Sequence, residues 1–349
     1  IKLKGSTSGD VTITVPAAAG TNTVTIPAAT GNLPLSNLDH VTNTPSAKPI
    51  IINGAMELWQ RGTALASSSG NYAADRFWYV GTSMTSQRST DAPSGFSYSN
   101  KLTHSSGNMT IGQPIELPAT GKQGMFIAGQ KLTIAFYGKV DSGTEDINIL
   151  INARNEKFSG TNSTAFSTTD DSQTLTTNWQ RFTTVFTIPT VNANNIMCNL
   201  EIGNIAKDAY ITGVQAELGE FNTTTIPPFQ HESVGDNLAR CQRYFYKTFA
   251  HDETPAQNVQ GVGGVLIQGA HHSLDNRRFP SRQLPITMRA AGTGTSFNPY
   301  NTNANFRIPA SSTDVTIDGI STQTTGIHFT CTSAESGVFH IHFTIDSEL

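Results

Sequence analysis

Aromatic side chains in polar segments are the residues of this chain whose chemistry is easiest to name. Tyr98 stands between two serines and Tyr300 in the run Asn-Pro-Tyr-Asn, so both are expected in exposed loops. An exposed ring can stack on a sugar while polar neighbours bind its hydroxyl groups. Tyr98, Tyr300 and Trp78 are therefore the predicted glycan-binding residues. For Trp78, as for Trp59 and Trp179, core packing is the more frequent role.

Two histidines offer a second kind of chemistry. His340 and His342 are two residues apart in an alternating segment, so they share one face of the predicted strand. Two imidazoles in this arrangement can ligate zinc. The favoured alternative is that both histidines face solvent or an interface.

Carboxylates could serve glycoside hydrolysis, which needs two of them roughly 5–10 Å apart. The candidates are Asp75, Glu116, Glu201, Asp208 and Glu217. Their separation in a β fold cannot be derived from sequence spacing. The sequence has no Gly-x-Ser-x-Gly elbow, His-Glu-x-x-His helix or phosphate-binding glycine loop. We therefore predict that the protein is not an enzyme and has no catalytic residues.

Composition limits the partners. Among 349 residues only 14% are charged and the net charge is −4, so a nucleic-acid partner has little electrostatic support. No apolar run approaches the roughly 20 residues that span a bilayer, so membrane insertion is not expected. Cys198, Cys241 and Cys331 are widely spaced and form no metal-ligand or disulfide pattern. Free buried thiols suit assembly in a reducing cytoplasm.

Alternating apolar residues predict a mainly β protein. Residues 50 to about 230 contain strand-like runs at 111–117, 131–140, 147–152, 181–188, 196–202 and 210–218, separated by turn residues. A second β region has runs at 259–268, 283–289, 315–320, 327–332 and 337–345. In the last run, Phe339, Ile341, Phe343 and Ile345 face one way, and His340, His342 and Thr344 face the other.

The segment 210–247 separates the two β regions. Its first part is an alternating strand that places Tyr210, Thr212, Val214, Ala216 and Leu218 on one face. Pro227 and Pro228 then exclude both a helix and ladder hydrogen bonds. Ser233 and Asp236 resemble a helix N-cap pair. Leu238, Cys241 and Tyr244 recur at helical spacing, so a short helix is expected near 234–246.

Four places in the chain resemble a family of bacteriophage fibre proteins. The repeats TITVPAAAGTN (12–22) and TVTIPAATGN (23–32) resemble a fibre-shaft motif. NGAMELWQRG (53–62) with ADRFW (74–78) is similar to the opening of the family's jelly-roll domain. TGVQAELG (212–219) and GDNLARCQRY (235–244) resemble its closing strand and hinge. PITMRA (285–290) and DSEL (346–349) resemble its C-terminal domain.

The resemblance implies four parts: a fibre and anchor segment with two 11-residue β repeats (1–48), a carbohydrate-binding-like jelly-roll β-sandwich (49–232), a helical hinge (233–247) and a C-terminal β-sandwich domain (248–349). In such jelly rolls a glutamate, matched here by Glu57, helps to bind a structural calcium. The aspartate usual on the closing strand is missing from 211–214, which weakens that expectation. No other cofactor is implied.

The function implied is that of a structural virion fibre that attaches a bacteriophage to its host. The expected form is a homotrimer that contacts other virion proteins through its N-terminal segment and a host-surface glycan or protein through its distal domains. Several weak glycan sites would act together by avidity. One alternative is a head fibre or capsid decoration protein, and another is a tailspike-type polysaccharide hydrolase.

Overall fold

The computed structural model describes residues 2–4, 10–12, 48–65, 71–81, 83–117, 124–155, 163–168, 170–191, 195–260, 267–271, 277–278, 282–331 and 337–349. The protein is mainly β, and the chain divides into two compact units, Ile1–Val41 and Thr42–Leu349. Within the described ranges, no helix has the length and apolar character needed to cross a membrane.

The first unit contains a small antiparallel hairpin of β1 (Lys2–Lys4) and β2 (Asp10–Thr12), with Leu3 opposite Val11. The two 11-residue repeats continue beyond Thr12 and lie outside the described residues, so the fibre-shaft interpretation of them stays a prediction.

The first half of the second unit is a β-sandwich of jelly-roll type. Its strands are β3 (Ala64–Leu65), β4 (Asn71–Tyr72), β5 (Trp78–Val80), β6 (Ser83–Ser89), β7 (Ser99–Ser106), β8 (Met109–Glu116), β9 (Lys131–Val140), β10 (Glu145–Arg154), β11 (Thr164–Ala165), β12 (Ser167–Thr168), β13 (Ser172–Leu175), β14 (Gln180–Thr187), β15 (Met197–Ile205) and β16 (Ala209–Leu218). Sheet 1 has the order β11-β10-β15-β8-β5-β4, with β13 also on β10, and sheet 2 has the order β12-β14-β9-β16-β7-β6-β3.

Side-chain alternation builds the core between these sheets. In β14 the inward Phe182 and Phe186 are buried, and the intervening Thr183 and Val185 are only partly so. The apolar faces of the two sheets join in one cluster that includes Ile134, Ile149 and Leu200. From β8 to β10 and from β14 to β16, consecutive strands alternate between the sheets, as jelly-roll wiring requires.

A β-bulge in β16 corrects one sequence prediction. The register with β9 shifts between Thr212, opposite Tyr137, and Gln215, opposite Ala135. A one-residue insertion moves every later side chain of the strand to the opposite face of the sheet. The residues from Tyr210 to Leu218 that were predicted to share one face therefore do not. Tyr210 and Thr212 face outward, whereas Val214 and Ala216 join the core cluster.

A short helix follows the Pro-rich exit from the sandwich. Helix α1 spans Val234–Gln242, and the Ser233 hydroxyl accepts a hydrogen bond from the Asp236 backbone N–H, so the N-cap prediction is confirmed. Cys241 and Tyr244 are buried, and Leu238 is half-buried. All three cysteines are free and buried, as predicted.

The C-terminal domain contains two further antiparallel sheets. Its strands are β17 (Phe245–Lys247), β18 (Ile267–His271), β19 (Arg277–Arg278), β20 (Arg282–Gln283), β21 (Thr293–Phe297), β22 (Phe306–Ile308), β23 (Thr313–Val315), β24 (Gly319–Gln323), β25 (Gly326–Cys331) and β26 (Gly337–Asp346). Strand β26 pairs with β17, β18, β21 and β22, and β25 pairs with β19, β20 and β24.

Strand β26 confirms its predicted alternation, since Phe339, Ile341, Phe343 and Ile345 all lie in the apolar core of this domain. The predicted strand at 283–289 is wrong beyond Gln283. Pro285 interrupts it, and the backbone N–H groups of Leu284 and Met288 donate instead to the turn at Thr324 and Thr325.

The two β domains meet through buried polar contacts. The Arg76 guanidinium forms an ion pair with Glu348, and its Nη2 donates to the Pro114 carbonyl at 2.5 Å. The side chains of Arg76 and Glu348 are 1% and 2% exposed. Arg61 lies 3.3 Å from Glu348, and Tyr72 donates its hydroxyl to the Leu349 carbonyl.

A second group of contacts extends this junction. Asp75 is completely buried and accepts hydrogen bonds from the backbone N–H and the side chain of Gln60, and burial raises its pKa. Lys247 Nζ donates to the Gln60 carbonyl at 2.7 Å, and burial lowers the pKa of Lys247 to about 8. Arg243 donates hydrogen bonds from its Nε and Nη2 atoms to the two carboxylate oxygens of Glu116 in β8.

We expect Glu348→Gln to lower the free energy of unfolding by about 3 kcal/mol, because it leaves the Arg76 charge buried without its carboxylate. Glu145→Gln is the control, since Glu145 lies 3.8 Å from a half-exposed Lys207 and should contribute at most about 1 kcal/mol. Urea unfolding followed by circular dichroism measures both. Equal destabilisation by the two variants would contradict this role of the junction.

Candidate functional site

Three cross-strand neighbours on the outer face of sheet 2 form the base of a candidate site. Tyr210 of β16 lies opposite both Lys101 of β7 and Lys139 of β9. The two lysine Nζ atoms lie 5.1 and 4.7 Å from the centre of the Tyr210 ring. At such distances an ammonium group is attracted to the ring, so the two lysines hold the tyrosine in place.

Trp179, in the turn that precedes β14, completes the surface. Its indole N–H donates to Asp91 Oδ1 at 3.0 Å, and its ring packs edge-on against Tyr210, with centroids 6.2 Å apart. Lys139 Nζ binds the other Asp91 oxygen at 2.5 Å. We name Trp179, Tyr210, Lys101, Lys139 and Asp91 the Trp179 platform. The Trp179 ring is half-buried, so part of it faces solvent.

Each ammonium group of the platform lies next to a carboxylate. The hydrogen bond from Lys139, followed by that from Trp179, lowers the pKa of Asp91. The hydrogen bond with Tyr210 raises the pKa of Lys101, which also lies 3.5 Å from Asp141. The side chains of Asp91 and Asp141 are 45% and 44% exposed. A carboxylate that is partly exposed therefore lies beside each of the two ammonium groups.

An aromatic cluster lies next to the platform on the same face. Tyr137, two residues before Lys139 on β9, packs against Phe96 with ring centroids 5.4 Å apart. Phe96 in turn packs against Phe229 at 5.0 Å. The bulge in β16 makes room for this cluster, because Gly213 has φ +61° and a Cβ there would lie 2.7 Å from the Phe96 ring.

This arrangement suits non-covalent binding of a polar ligand. The exposed part of the indole offers an apolar surface, and the carboxylates and ammonium groups supply hydrogen-bond acceptors and donors beside it. Asp91 is held ionised, so it is unsuited to the proton-donor role that glycoside hydrolysis assigns to a carboxyl of raised pKa.

The structure corrects the prediction for Trp78. Its side chain is 1% exposed on β5, and its ring packs over Gly112 of the neighbouring β8, where a Cβ would lie 3.0 Å from Trp78 Cζ2. A ring with both faces covered cannot stack on a sugar. The Trp78 ring can lie against β8 because its cross-strand partner there, Gly112, has no side chain. The sequence alone does not show that Trp78 and Gly112 are paired.

Tyr98 and Tyr300 stay predictions as glycan-binding residues. Both are half-buried. The Tyr98 carbonyl accepts a hydrogen bond from Thr212 Oγ1, and the Arg88 guanidinium lies 4.6 Å from the centre of its ring. Tyr300 belongs to the C-terminal domain, where its hydroxyl lies 3.2 Å from His340 Nδ1.

The two strand histidines, weak candidates for zinc ligation, have different surroundings in the structure. His342 is 1% exposed, because Phe249 stacks on its ring at 4.4 Å and closes the face that the alternation assigned to solvent. Its Nδ1 lies 2.9 Å from Thr248 Oγ1. Tyr300 binds the corresponding nitrogen of His340. Each histidine thus has a separate neighbour, and burial lowers the pKa of both.

Glu57, the weak calcium candidate, is half-buried in a pocket beside the segment from Val214 to Glu217. In the part of the chain that the structure describes, no group of three or more His, Cys, Asp or Glu side chains is placed to hold a metal ion. The structural calcium therefore stays a prediction to which the geometry adds no support.

The candidate carboxylates have structural partners. Glu116 accepts hydrogen bonds from Arg243 and the Tyr244 hydroxyl, and Asp208 accepts one from the His104 backbone N–H. Glu201 lies 3.4 Å from Arg154, and burial raises the pKa of Glu201.

Sequence reasoning missed most of the platform. Lys101, Lys139 and Tyr210 each occupy an outward position of a strand. Alternation of apolar and polar residues predicts such positions once the core-facing side of the strand is known. What the sequence does not provide is the pairing of β7, β16 and β9, which brings the three together. Trp179 was identified by residue type, but its contact with Asp91 depends on a distant loop.

Comparisons with known proteins find similarity in structure alone. No protein-family profile matches the chain, and no curated protein matches its sequence. The CBM22-1 xylan-binding domain of Paenibacillus barcinonensis Xyn10C is 11% identical, covering 50% of this chain and 96% of that one, with a TM-score of 0.32. A putative sugar binding protein from Bacteroides thetaiotaomicron is 10% identical, covering 49% and 100%, with a TM-score of 0.34.

The enzymatically active domain of bacteriophage CBA120 tailspike protein 4 is 15% identical, covering 49% of this chain and 21% of that one, with a TM-score of 0.32. Similarities of this size carry no functional argument. The class of protein is defined by its own topology: a mainly β chain with a jelly-roll sandwich and a second β domain.

We expect acid to destabilise the C-terminal domain through His342. Burial lowers the folded-state pKa of His342 to about 4, below the ordinary value of 6.5. Between these values the unfolded chain binds the proton more readily, so this contribution to stability is present above pH 6.5 and is lost as the pH falls toward 4. Urea midpoints of wild type and His342→Gln, measured from pH 7 to 4, test this. A variant with an unchanged pH dependence would contradict it.

Proposed function

We propose that the protein binds carbohydrate without covalent chemistry, through the Trp179 platform. The observation that carries the proposal is the position of Trp179, whose partly exposed indole is fixed by Asp91 beside two lysines and a tyrosine. A preordered aromatic ring loses little conformational freedom on binding, and the ionised groups around it can reach the hydroxyl groups of a sugar.

Charge balance favours a neutral or weakly charged glycan. Lys139 is paired with Asp91, and Lys101 lies 3.5 Å from the neighbouring Asp141, so each ammonium group has a carboxylate beside it. A protein surface that binds nucleic acid carries an excess of Lys and Arg side chains, which displace salt cations from the phosphates. The net charge of −4 for the whole chain likewise favours a glycan over a nucleic acid as the ligand.

The biological setting that we propose is attachment of a bacteriophage particle to its host. The support is the sequence resemblance to phage fibre proteins, with the segment 1–48 as anchor to other virion proteins. In a homotrimer, three copies of the platform would raise the effective concentration for each further contact, so a weak single site suffices.

Trp179→Ala should weaken polysaccharide binding about tenfold, because the aromatic centre of a small binding surface supplies much of its energy. Affinity electrophoresis in gels with xylan, galactan or bacterial lipopolysaccharide identifies a ligand and measures the change. Tyr246→Ala is the matched control, because Tyr246 is a half-buried aromatic residue of the C-terminal domain. Tyr98→Ala and Tyr300→Ala test the two tyrosines predicted from the sequence. Equal binding by wild type and a folded Trp179→Ala protein would contradict the proposal.

The proposed assembly has its own test. Light scattering coupled to size-exclusion chromatography should give about three times the 37.4 kDa mass of one chain. Symmetric association would cover the strand edges of the N-terminal hairpin. A monomer at micromolar concentration would overturn the trimer but would leave the single-site proposal for Trp179 open to the electrophoresis test.

A further inference from the structure

The aromatic cluster beside the Trp179 platform is completed by the exit segment, which we define as residues 219–233 between β16 and helix α1. The ring centre of His231 in this segment lies 5.0 Å from that of Phe96 and 4.9 Å from that of Phe229. His231 is exposed, and no hydrogen bond to its ring nitrogens is found among the described residues. An imidazole in this position can both donate hydrogen bonds to a ligand and accept them from it.

Polar contacts hold the exit segment against the outer face of sheet 2. Arg181 of β14 donates a hydrogen bond from its Nη2 to the Pro227 carbonyl at 3.1 Å. On the other side of His231, Glu232 forms an ion pair with Arg240 of helix α1 at 2.6 Å. The segment is therefore fixed before and after His231, so the imidazole loses little conformational freedom when a ligand binds to it.

The register of the strands makes the cluster a direct neighbour of the platform. Tyr137 of the cluster and Lys139 of the platform are two residues apart on β9, so their outward positions are separated by about 7 Å. Arg181 lies opposite Tyr137. Trp179 precedes Arg181 by two residues, and its ring centre lies 5.6 Å from Lys139 Nζ. The platform and the cluster are thus consecutive rows on one face of the sheet.

We propose that the cluster is a second subsite of the carbohydrate site, and that the ligand is an extended glycan chain bound through several consecutive sugar units. This inference rests on the function proposed above for the Trp179 platform. One sugar unit lies against Trp179, and a unit further along the chain lies against Phe96 and His231. The exit segment supplies Phe229 and His231, so it determines specificity together with the sandwich.

The chemistry of the second subsite suits a sugar. The rings of Phe96, Tyr137 and Phe229 provide apolar surface, and the imidazole of His231 provides a hydrogen-bonding group beside it. A fully apolar ligand would cover the His231 nitrogens and the charged groups of the platform without replacing their hydrogen bonds to water, which costs free energy. A glycan chain replaces those hydrogen bonds with its hydroxyl groups.

Isothermal titration calorimetry on the full chain tests the inference with fragments of two and six sugar units. The fragments are prepared from whichever of xylan, galactan and the polysaccharide part of lipopolysaccharide retards the protein most in the affinity gels. We expect the six-unit fragment to bind wild type about tenfold more tightly than the two-unit fragment, because only the longer fragment reaches both subsites.

Two variants locate the second subsite, each with a matched control. His231→Ala and Phe96→Leu should each weaken binding of the six-unit fragment by about fivefold and leave binding of the two-unit fragment unchanged. His251→Ala replaces another exposed histidine, and Phe297→Leu replaces another half-buried phenylalanine, both in the C-terminal domain. Both controls should bind the two fragments as wild type does.

Equal affinity of wild type for the two fragments would overturn the inference. Wild-type affinity of the folded His231→Ala and Phe96→Leu proteins for the six-unit fragment would also overturn it. Equal weakening of both fragments by these variants would do the same, because the two residues would then act on the platform and not on a separate subsite. Circular dichroism of each variant shows whether a loss of binding is a loss of fold.

Failure of this inference is distinct from failure of the proposed function. If Trp179→Ala weakens binding of both fragments while chain length has no effect, the second subsite is refuted and the platform is retained. Absence of binding to every polysaccharide would overturn the proposed function and the second subsite together.

Discussion

The arrangement of residues 42–349 depends on a buried ion pair between Arg76 and Glu348. Taking two charges out of water costs several kcal/mol per ion, so such a pair is stable only when the surrounding groups satisfy it. Here the Pro114 carbonyl accepts from the guanidinium, and Arg61 approaches the carboxylate. Arg76 also stacks on Tyr244 at 3.5 Å, which places the aromatic ring over the cation.

The junction determines which surface is free. Among the strands of the sandwich, its contacts are made with Tyr72 of β4 and Glu116 of β8, both in sheet 1. The Trp179 platform lies on the outer face of sheet 2. Sheet 1 therefore contacts the C-terminal domain, and the outer face of sheet 2 carries the Trp179 platform, whose indole is partly exposed.

Local signals in the sequence predicted the elements well. Proline and capping residues placed the helix start at Ser233, and strict alternation identified the core face of β26. Long-range pairing was not predictable, because the energy of a cross-strand contact depends on a partner far along the chain. The bulge at Gly213 reversed the facing of β16, and Phe249 covered His342 from outside its own strand. Trp78 was predicted to bind glycan but is buried, because its burial also depends on a cross-strand partner, Gly112, far along the chain.

The central claim is that Trp179, and not the other tryptophans, meets the carbohydrate. The chain has three tryptophans, so their indole N–H groups give three resolvable signals in a proton–nitrogen NMR correlation spectrum. Trp59 and Trp78 are 2% and 1% exposed and act as internal references. Titration with an oligosaccharide of a polysaccharide that the protein binds should shift the Trp179 indole signal and leave the other two in place. Binding that leaves the Trp179 signal unmoved would contradict the account.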